Sequence, residues 1–269
     1  MTDPVRTTAR ERPPMDSMRK TALVAGVFYL ISFISIPSLA LYGIVKNDPN
    51  FIISAGNTTG ILVGGFLEMT VALAGIGSAL ALFSVMKRQH EGLALGFVAT
   101  RLFEGGVIAI GVMSILSVVT LQQPGATGAE ATSLVTMEKS LVATHNWAFL
   151  LGQSLMPSLN ALMLGTLMYR SRLVPRILPV LGLIGAPLLL ACTIATMFGF
   201  VEQYSAVAGI ITIPIFVWEL GLGLWLTFKG FDRSAPLMVA AAADGTDLGD
   251  LSSTGIPPRG TAVTNPGAA

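Results

Sequence analysis

Residues 59–86 read TGILVGGFLEMTVALAGIGSALALFSVM, a run in which Glu68 is the only charged side chain. An α-helix rises about 1.5 Å per residue, and a bilayer's hydrocarbon core is about 30 Å thick, so about 20 apolar residues suffice to cross it. This run exceeds that length and lacks the two-residue alternation of a membrane barrel strand. Working outward, five further apolar segments follow the same rule, at about 21–45, 92–121, 141–169, 177–200 and 205–228. The fold class expected is therefore all-α, a polytopic membrane bundle of six transmembrane helices.

Composition agrees. The 269 residues are 52% hydrophobic and 12% charged, with a net charge of +1. That is about half the charge of an ordinary soluble domain. A near-neutral chain offers no field for nucleic acid.

The placement of lysine and arginine gives an orientation. The amino-terminal tail carries Arg6, Arg10, Arg12, Arg19 and Lys20, and the loop after the second span carries Lys87 and Arg88. The loop after the fourth carries Arg170, Arg172 and Arg176, and the carboxy-terminal tail carries Lys229, Arg233 and Arg259. Against these thirteen, the alternate loops hold only Lys46 and Lys139. Positive residues concentrate on the cytoplasmic side, so six crossings with both termini inside is the expected topology. Arg19-Lys20 followed by an apolar stretch and Pro37-Ser38-Leu39-Ala40 also has the outline of a signal peptide. The apolar region continues through Tyr42 to Val45, so a retained anchor is the better reading.

Three regions follow: a polar tail at 1–18, a transmembrane domain at 19–233 and a second tail at 234–269. Both tails are expected to be disordered, since neither buries enough apolar surface to offset ordering. The outer loop at 122–140 is the longest and is expected to carry a short helix.

Ionisable groups inside a span cost at least about 2.5–3.5 kcal/mol on insertion scales, which marks each as a site candidate. They are Glu68, Arg101, Glu104 and Glu219. Glu68 shares a helical face with Gly64 and Ala72, Glu104 with Gly92, Gly96 and Thr100, and Glu219 with Gly223. Small faces let helices approach, so these acids should turn inward. Arg101 and Glu219 each lie nine residues from a cytoplasmic end, about 14 Å deep. Arg101 is thus placed to bridge Glu104 and Glu219, while Glu68 has no obvious cation. Structural pairing and a polar ligand site both remain open for this set.

A second stripe, Asn146, Gln153 and Asn160, repeats every seven residues on the fourth span. Pro157 frees the Gln153 carbonyl on the same stripe. Interhelical hydrogen bonding or a wet cavity would each use such a row. Ser32, Ser35 and Ser38 make a weaker stripe, and serine often bonds its own helix. Pro187 and Pro214 predict kinks. The chain holds one cysteine, Cys192, and two histidines, His90 and His145, so no histidine-rich or cysteine-rich metal site is expected. His145 reads as an interfacial residue beside Trp147. No cofactor is implied, and no catalytic residue can be assigned.

Several blocks resemble the bacterial membrane family called domain of unknown function 4386. They are Gly65-Phe66-Leu67-Glu68, and Leu95-Gly96-Phe97-Val98 with Arg101 and Glu104. Tyr169-Arg170-Ser171-Arg172-Leu173-Val174-Pro175-Arg176 is the most specific of them. Leu181-Gly182-Leu183-Ile184-Gly185 follows, then Glu219 with Leu224-Trp225-Leu226 and Lys229-Gly230-Phe231. The resemblance covers about residues 18–232 and implies a multi-pass protein of the bacterial inner membrane, without implying an activity. Family members often carry glutamine before the last acid, where this chain has Trp218. The expected partner is the bilayer itself, with Arg170, Arg172 and Arg176 placed to meet anionic headgroups at about 1 kcal/mol each.

Three functions fit the sequence. The first is binding or passage of a small solute or proton at the buried Glu/Arg residues. The second is a non-catalytic bundle acting through protein or lipid partners. The third is an intramembrane enzyme acting on a lipid.

Overall fold

A computed structural model describes residues 17–243 of the chain. Arg6, Arg10, Arg12, Arg259 and the greater part of the two expected tails lie outside the described residues. The described residues are helical without a strand. The principal helices are α1 (Ser17–Ser32), short α2 (Ser38–Leu41) and α3 (Gly43–Asn47), α4 (Thr59–Thr120) and α5 (Gly128–Leu150). They continue with α6 (Met156–Ser171), α7 (Ile177–Met197), α8 (Ala206–Phe228) and α9 (Pro236–Ala243). Five continuous helical stretches are long and apolar enough to cross a membrane: Ser17–Ser35, Thr59–Thr120, Gly128–Ser171, Ile177–Met197 and Ala206–Phe228.

The 62-residue α4 is a hairpin rather than one rod. Its backbone leaves the helical region at His90, with φ −159° and ψ 99°. A Cβ placed on Gly65 would meet Leu116, one on Gly105 would meet Ile76, and one on Gly75 would meet Arg101. Pairs whose numbers sum to nearly a constant mark antiparallel packing about a turn near residue 90. Each long apolar segment then packs antiparallel on the next, with α5 and α6 together making one segment. α1 meets the first half of α4 at Phe28 and Gly77, and the second half meets α5–α6 at Gly111 with Ala148 and Gly96 with Met163. α7 meets α8 at Gly182 with Trp218. The circle closes where Gly26 of α1 lies against Gly223 and Thr227 of α8. Arg19 seals that closure by donating to the carbonyl oxygens of Leu226 at 2.9 Å and Thr227 at 2.5 Å. A cation at a helix carboxyl end satisfies carbonyls that no later amide reaches.

Polarity is turned inside out. Phe66, Leu73 and Leu80, seven apart on α4, are exposed, as are Leu102, Phe103 and Met113. Glu68, Arg101 and Glu104 are buried. Lipid-facing helices require this distribution, because a charge facing acyl chains has no partner.

Three details depart from the sequence reading, while the serine stripe bonds its own helix as expected. The first apolar segment does not continue as one helix to residue 45. It ends in a 3₁₀ turn at Phe33–Ser35, because Pro37 lacks the amide that would bond Phe33. Ser32 and Ser35 spend their hydroxyls on the carbonyls of Tyr29 and Ser32 in the preceding turn. The outer stretch 122–140 holds the opening turns of the 23-residue α5 rather than a separate short helix. Helix α9 lies in the stretch read as the second tail, and Leu237 and Met238 pack on the core. Its PLMVAAAA sequence is apolar throughout and rich in helix formers.

Candidate functional site

Gly64 makes the first part of the site. A Cβ there would sit 2.6 Å from the Tyr42 ring, so glycine is what lets the phenol lie against α4. Tyr42 then donates to Glu68 Oε2 at 3.1 Å. Gly111 does the same for α5, whose Ala148 Cβ would be 2.9 Å from a Cβ at 111. That close approach brings His145 Nε2 to 3.4 Å from Glu68 Oε2. The His145 ring also meets the Tyr42 ring edge to face, with centroids 5.0 Å apart.

The last partner depends on a helix irregularity. Residues Leu151–Leu155 form a π-helical turn between α5 and α6. Pro157 has no amide to offer, and the wider turn re-bonds the backbone just before it. Gln153 lies in this turn and donates to Glu68 Oε1 at 3.0 Å. Glu68, 2% exposed, is therefore held by a phenol, an imidazole and an amide. Of these only His145, 1% exposed, can itself carry a positive charge. Its Nδ1 is buried and has no partner.

Arg101, Glu104 and Glu219 form a second cluster toward the opposite end of the helices. Arg101 Nη1 donates to both oxygens of Glu104, at 3.2 and 3.0 Å, and Nη2 donates to Glu219 Oε1 at 3.0 Å and to Tyr29 Oη at 3.4 Å. The guanidinium lies over the Tyr29 and Phe97 rings, 5.5 and 5.7 Å from their centroids. Asn160 donates to Glu104 Oε2 at 2.6 Å and accepts from Thr100 at 2.5 Å. One cation thus serves two carboxylates.

The four charged residues are therefore not one cluster. No hydrogen bond or ion pair among the described residues joins Glu68 to Arg101, Glu104 or Glu219. The amide stripe connects levels instead. Gln153 serves Glu68 and Asn160 serves Glu104, while the Asn146 carbonyl accepts from Gln203 at 3.1 Å and its side chain from Tyr204 at 3.4 Å. His145, read from sequence as an interfacial residue, is instead a member of the Glu68 site. Nearby Trp147 is the exposed one, because residues two apart on a helix point about 200° apart.

A cavity of about 350 Å³ borders the Glu68 site. Gln153 is in its wall, with Cys192, Thr193, Thr196, Gln203 and Tyr204. Tyr204 lies in the turn between α7 and α8, where burial and the Glu68 charge push its phenol up to about 12. Lys46, in the loop after α3, donates to Tyr204 Oη at 2.9 Å. Burial lowers the Lys46 ammonium to about 8, against an opposing pull from Glu68.

The family model for the domain of unknown function 4386 matches residues 24–230. The chain belongs to this family. In this DUF4386 chain the match spans every residue of both polar clusters. No curated protein and no solved structure matches it. The Tyr169–Arg176 block of the DUF4386 chain ends α6. Arg172 takes the left-handed conformation at φ 56°, and its amide bonds the Met168 carbonyl at 3.2 Å. Arg170, Arg172 and Arg176 are exposed, and Arg176 stacks 5.1 Å from the Tyr169 ring centroid. Among the described residues no group of three metal-ligating side chains is assembled.

Sequence reasoning missed Tyr42, Lys46, His145 and Tyr204 as site members, and also Glu138. Glu138 is 1% exposed, accepts from the Ile52 amide at 3.3 Å and leaves Oε1 without a partner. Tyr42 and Lys46 are four apart, the spacing of one helical face. That signal was present in the sequence.

Proposed function

We propose that this protein crosses a cell membrane six times with both termini in the cytoplasm, and that it binds or passes a small solute or proton at Glu68. The α4 hairpin supports the crossing number, since its two halves each exceed the length of a span. The uneven distribution of lysine and arginine supports the orientation. On this reading the cavity faces outward, and Arg170, Arg172 and Arg176 face cytoplasmic headgroups, in keeping with a bacterial inner membrane.

One observation carries the site assignment. Gln153 donates to the buried Glu68 carboxylate and also lines the cavity, so a single side chain separates the solvent-accessible space from an acid–imidazole pair. A carboxylate and a histidine in contact can exchange a proton without an ion being stranded in hydrocarbon. The π-turn that presents Gln153 is the kind of irregularity that recurs at functional sites. The Arg101 cluster supports a different role, which is to hold α1, α4 and α8 together across the bundle.

The test is proton flux in proteoliposomes carrying an internal pH dye. Glu68→Gln keeps the size and hydrogen-bonding shape of the side chain and should abolish a flux that Glu104→Gln leaves largely intact. Equal flux through wild type and Glu68→Gln would overturn the assignment. Reporter fusions at the carboxyl terminus and in the 122–127 loop should report opposite sides of the membrane.

A further inference from the structure

Lys46 is enclosed by aromatic rings rather than by acids. Its Nζ stands 5.0 Å from the Tyr204 ring centroid, 5.9 Å from Phe149 and 6.0 Å from Tyr42. The rings come from three separate places in the chain: the start of α3, the end of α5 and the α7–α8 turn. No carboxylate is ion-paired with Lys46 among the described residues. Phe149 and Tyr204 also line the cavity beside Gln153. The third ring, Tyr42, is the phenol that donates to Glu68.

We propose that Tyr42, Phe149 and Tyr204 form an organic-cation site whose resident occupant is the chain's own Lys46, displaced when an alkyl- or quaternary-ammonium ligand enters from the cavity. The proposal rests on the reading above, that the cavity admits a solute, and it names that solute's class. Ring faces carry the negative part of an aromatic quadrupole, and cages of them are a recurrent means of binding ammonium groups. The Glu68 carboxyl group, which accepts from the Tyr42 phenol, lies behind one ring. With Lys46 withdrawn, everything charged or polarised at the cage favours a cation. An anion would meet three ring faces and a carboxylate and gain one ammonium, which already donates to Tyr204. The threonine and amide groups on the cavity wall leave room for a polar but uncharged remainder of the ligand.

The occupant explains how the site stays formed. An empty cage would leave three ring faces to water or lipid. A tethered lysine fills it reversibly, and its four-carbon stem gives it somewhere to withdraw. Affinity for an external cation is accordingly set by competition with a group on the protein itself. Removing that group should tighten binding, the opposite of what a ligand-holding lysine would do.

The experiment is equilibrium dialysis of radiolabelled tetramethylammonium against the detergent-solubilised full chain. Tetramethylammonium has no titrating proton, so its charge is constant. Lys46→Met should bind it several-fold more tightly than wild type. In the Lys46→Met background, Tyr204→Leu and Phe149→Leu should each weaken binding about two- to thirtyfold, the range for one cation–π contact. Tyr204→Phe should retain it, since the ring and not the hydroxyl is required. Unchanged or weaker binding by Lys46→Met, with an unaltered gel-filtration profile, would overturn the proposal. So would binding of acetate by wild type that Lys46→Met loses. A measurement on the unmutated chain stands beside these: saturating tetramethylammonium should expel Lys46 and speed its acylation, read by mass spectrometry, and an unchanged rate would overturn the cage. If these fail while Glu68-dependent proton flux persists, the cage alone is wrong. If that flux is also independent of Glu68, both readings fall.

Discussion

Arg101 reaches Glu219 at 3.0 Å from the opposite side of the helix ring, so one hydrogen bond spans elements 118 residues apart in sequence. The same guanidinium holds Glu104 one turn away and touches Tyr29 of α1. Three elements of the ring therefore close on a single side chain that is 7% exposed. Gly223 assists, because Tyr29 and Leu30 lie against the position where its Cβ would be.

Removing that cation should cost far more than removing the whole cluster. Arg101→Ala leaves buried Glu104 and half-buried Glu219 without a cation and is expected to destabilise by about 3–5 kcal/mol. Arg101→Lys should recover only part of this, because three donors on one nitrogen cannot span both acids as the guanidinium's two terminal nitrogens do. Replacing all three by Arg101→Met, Glu104→Leu and Glu219→Leu should be near neutral or stabilising. Thermal unfolding in detergent checks the order, and a triple variant less stable than Arg101→Ala would refute it.

A second prediction concerns the α7–α8 seam. A Cβ on Gly182 would stand 2.9 Å from Trp218 Cδ2 and Cγ, inside contact distance of a rigid ring that is itself fully buried. Gly182→Ala should therefore destabilise by about 1–3 kcal/mol through overpacking. Combining it with Trp218→Phe should restore part of the loss. If Gly182→Ala is neutral, the two helices are not in this register.

How much of this was legible beforehand depended on whether the signal was local. Span length is additive along the chain, so the apolar stretches could be read directly, and the inward turn of Glu68, Arg101 and Glu104 follows from the cost of a charge in lipid. The Arg101–Glu219 contact was legible from depth alone, since both residues lie nine positions from the same face. Glu68 was not, because its partners Tyr42 and Gln153 are neutral and no charge count points to them. His145 was misread because its burial depends on Gly111 letting α5 approach, a property of the partner helix. The π-turn at Leu151–Leu155 shifts the register of the amide stripe, and heptad counting cannot anticipate it.

Arg172 offers a test of the α6 terminus. It is the one non-glycine residue with positive φ among those described, at 56°, and its left-handed backbone costs an L-residue with a Cβ about 1–2 kcal/mol. Arg172→Gly should raise stability by about 1 kcal/mol relative to Arg172→Ala, which keeps the Cβ and loses the same charge. Comparing those two variants cancels the effect of the lost arginine. Equal midpoints in denaturant would mean the turn is not held as described.

Lys46 gives the pH dependence. Its ammonium titrates at about 8 in the folded chain against 10.5 as a free lysine, because burial among Tyr42, Phe149 and Tyr204 opposes the charge and Glu68 only partly offsets this. Between those values the unfolded chain binds the proton that the folded chain has released. Unfolding free energy then rises with pH across the window, and below about 8 this group contributes no slope. Burial shifts Tyr204 the other way, up to about 12, so its slope has the opposite sign. Subtracting the Lys46→Met stability profile from wild type between pH 7 and 11 isolates the lysine. The difference should climb between about 8 and 10.5; a flat or falling difference would show that the ammonium is fully hydrated and that the rings do not enclose it.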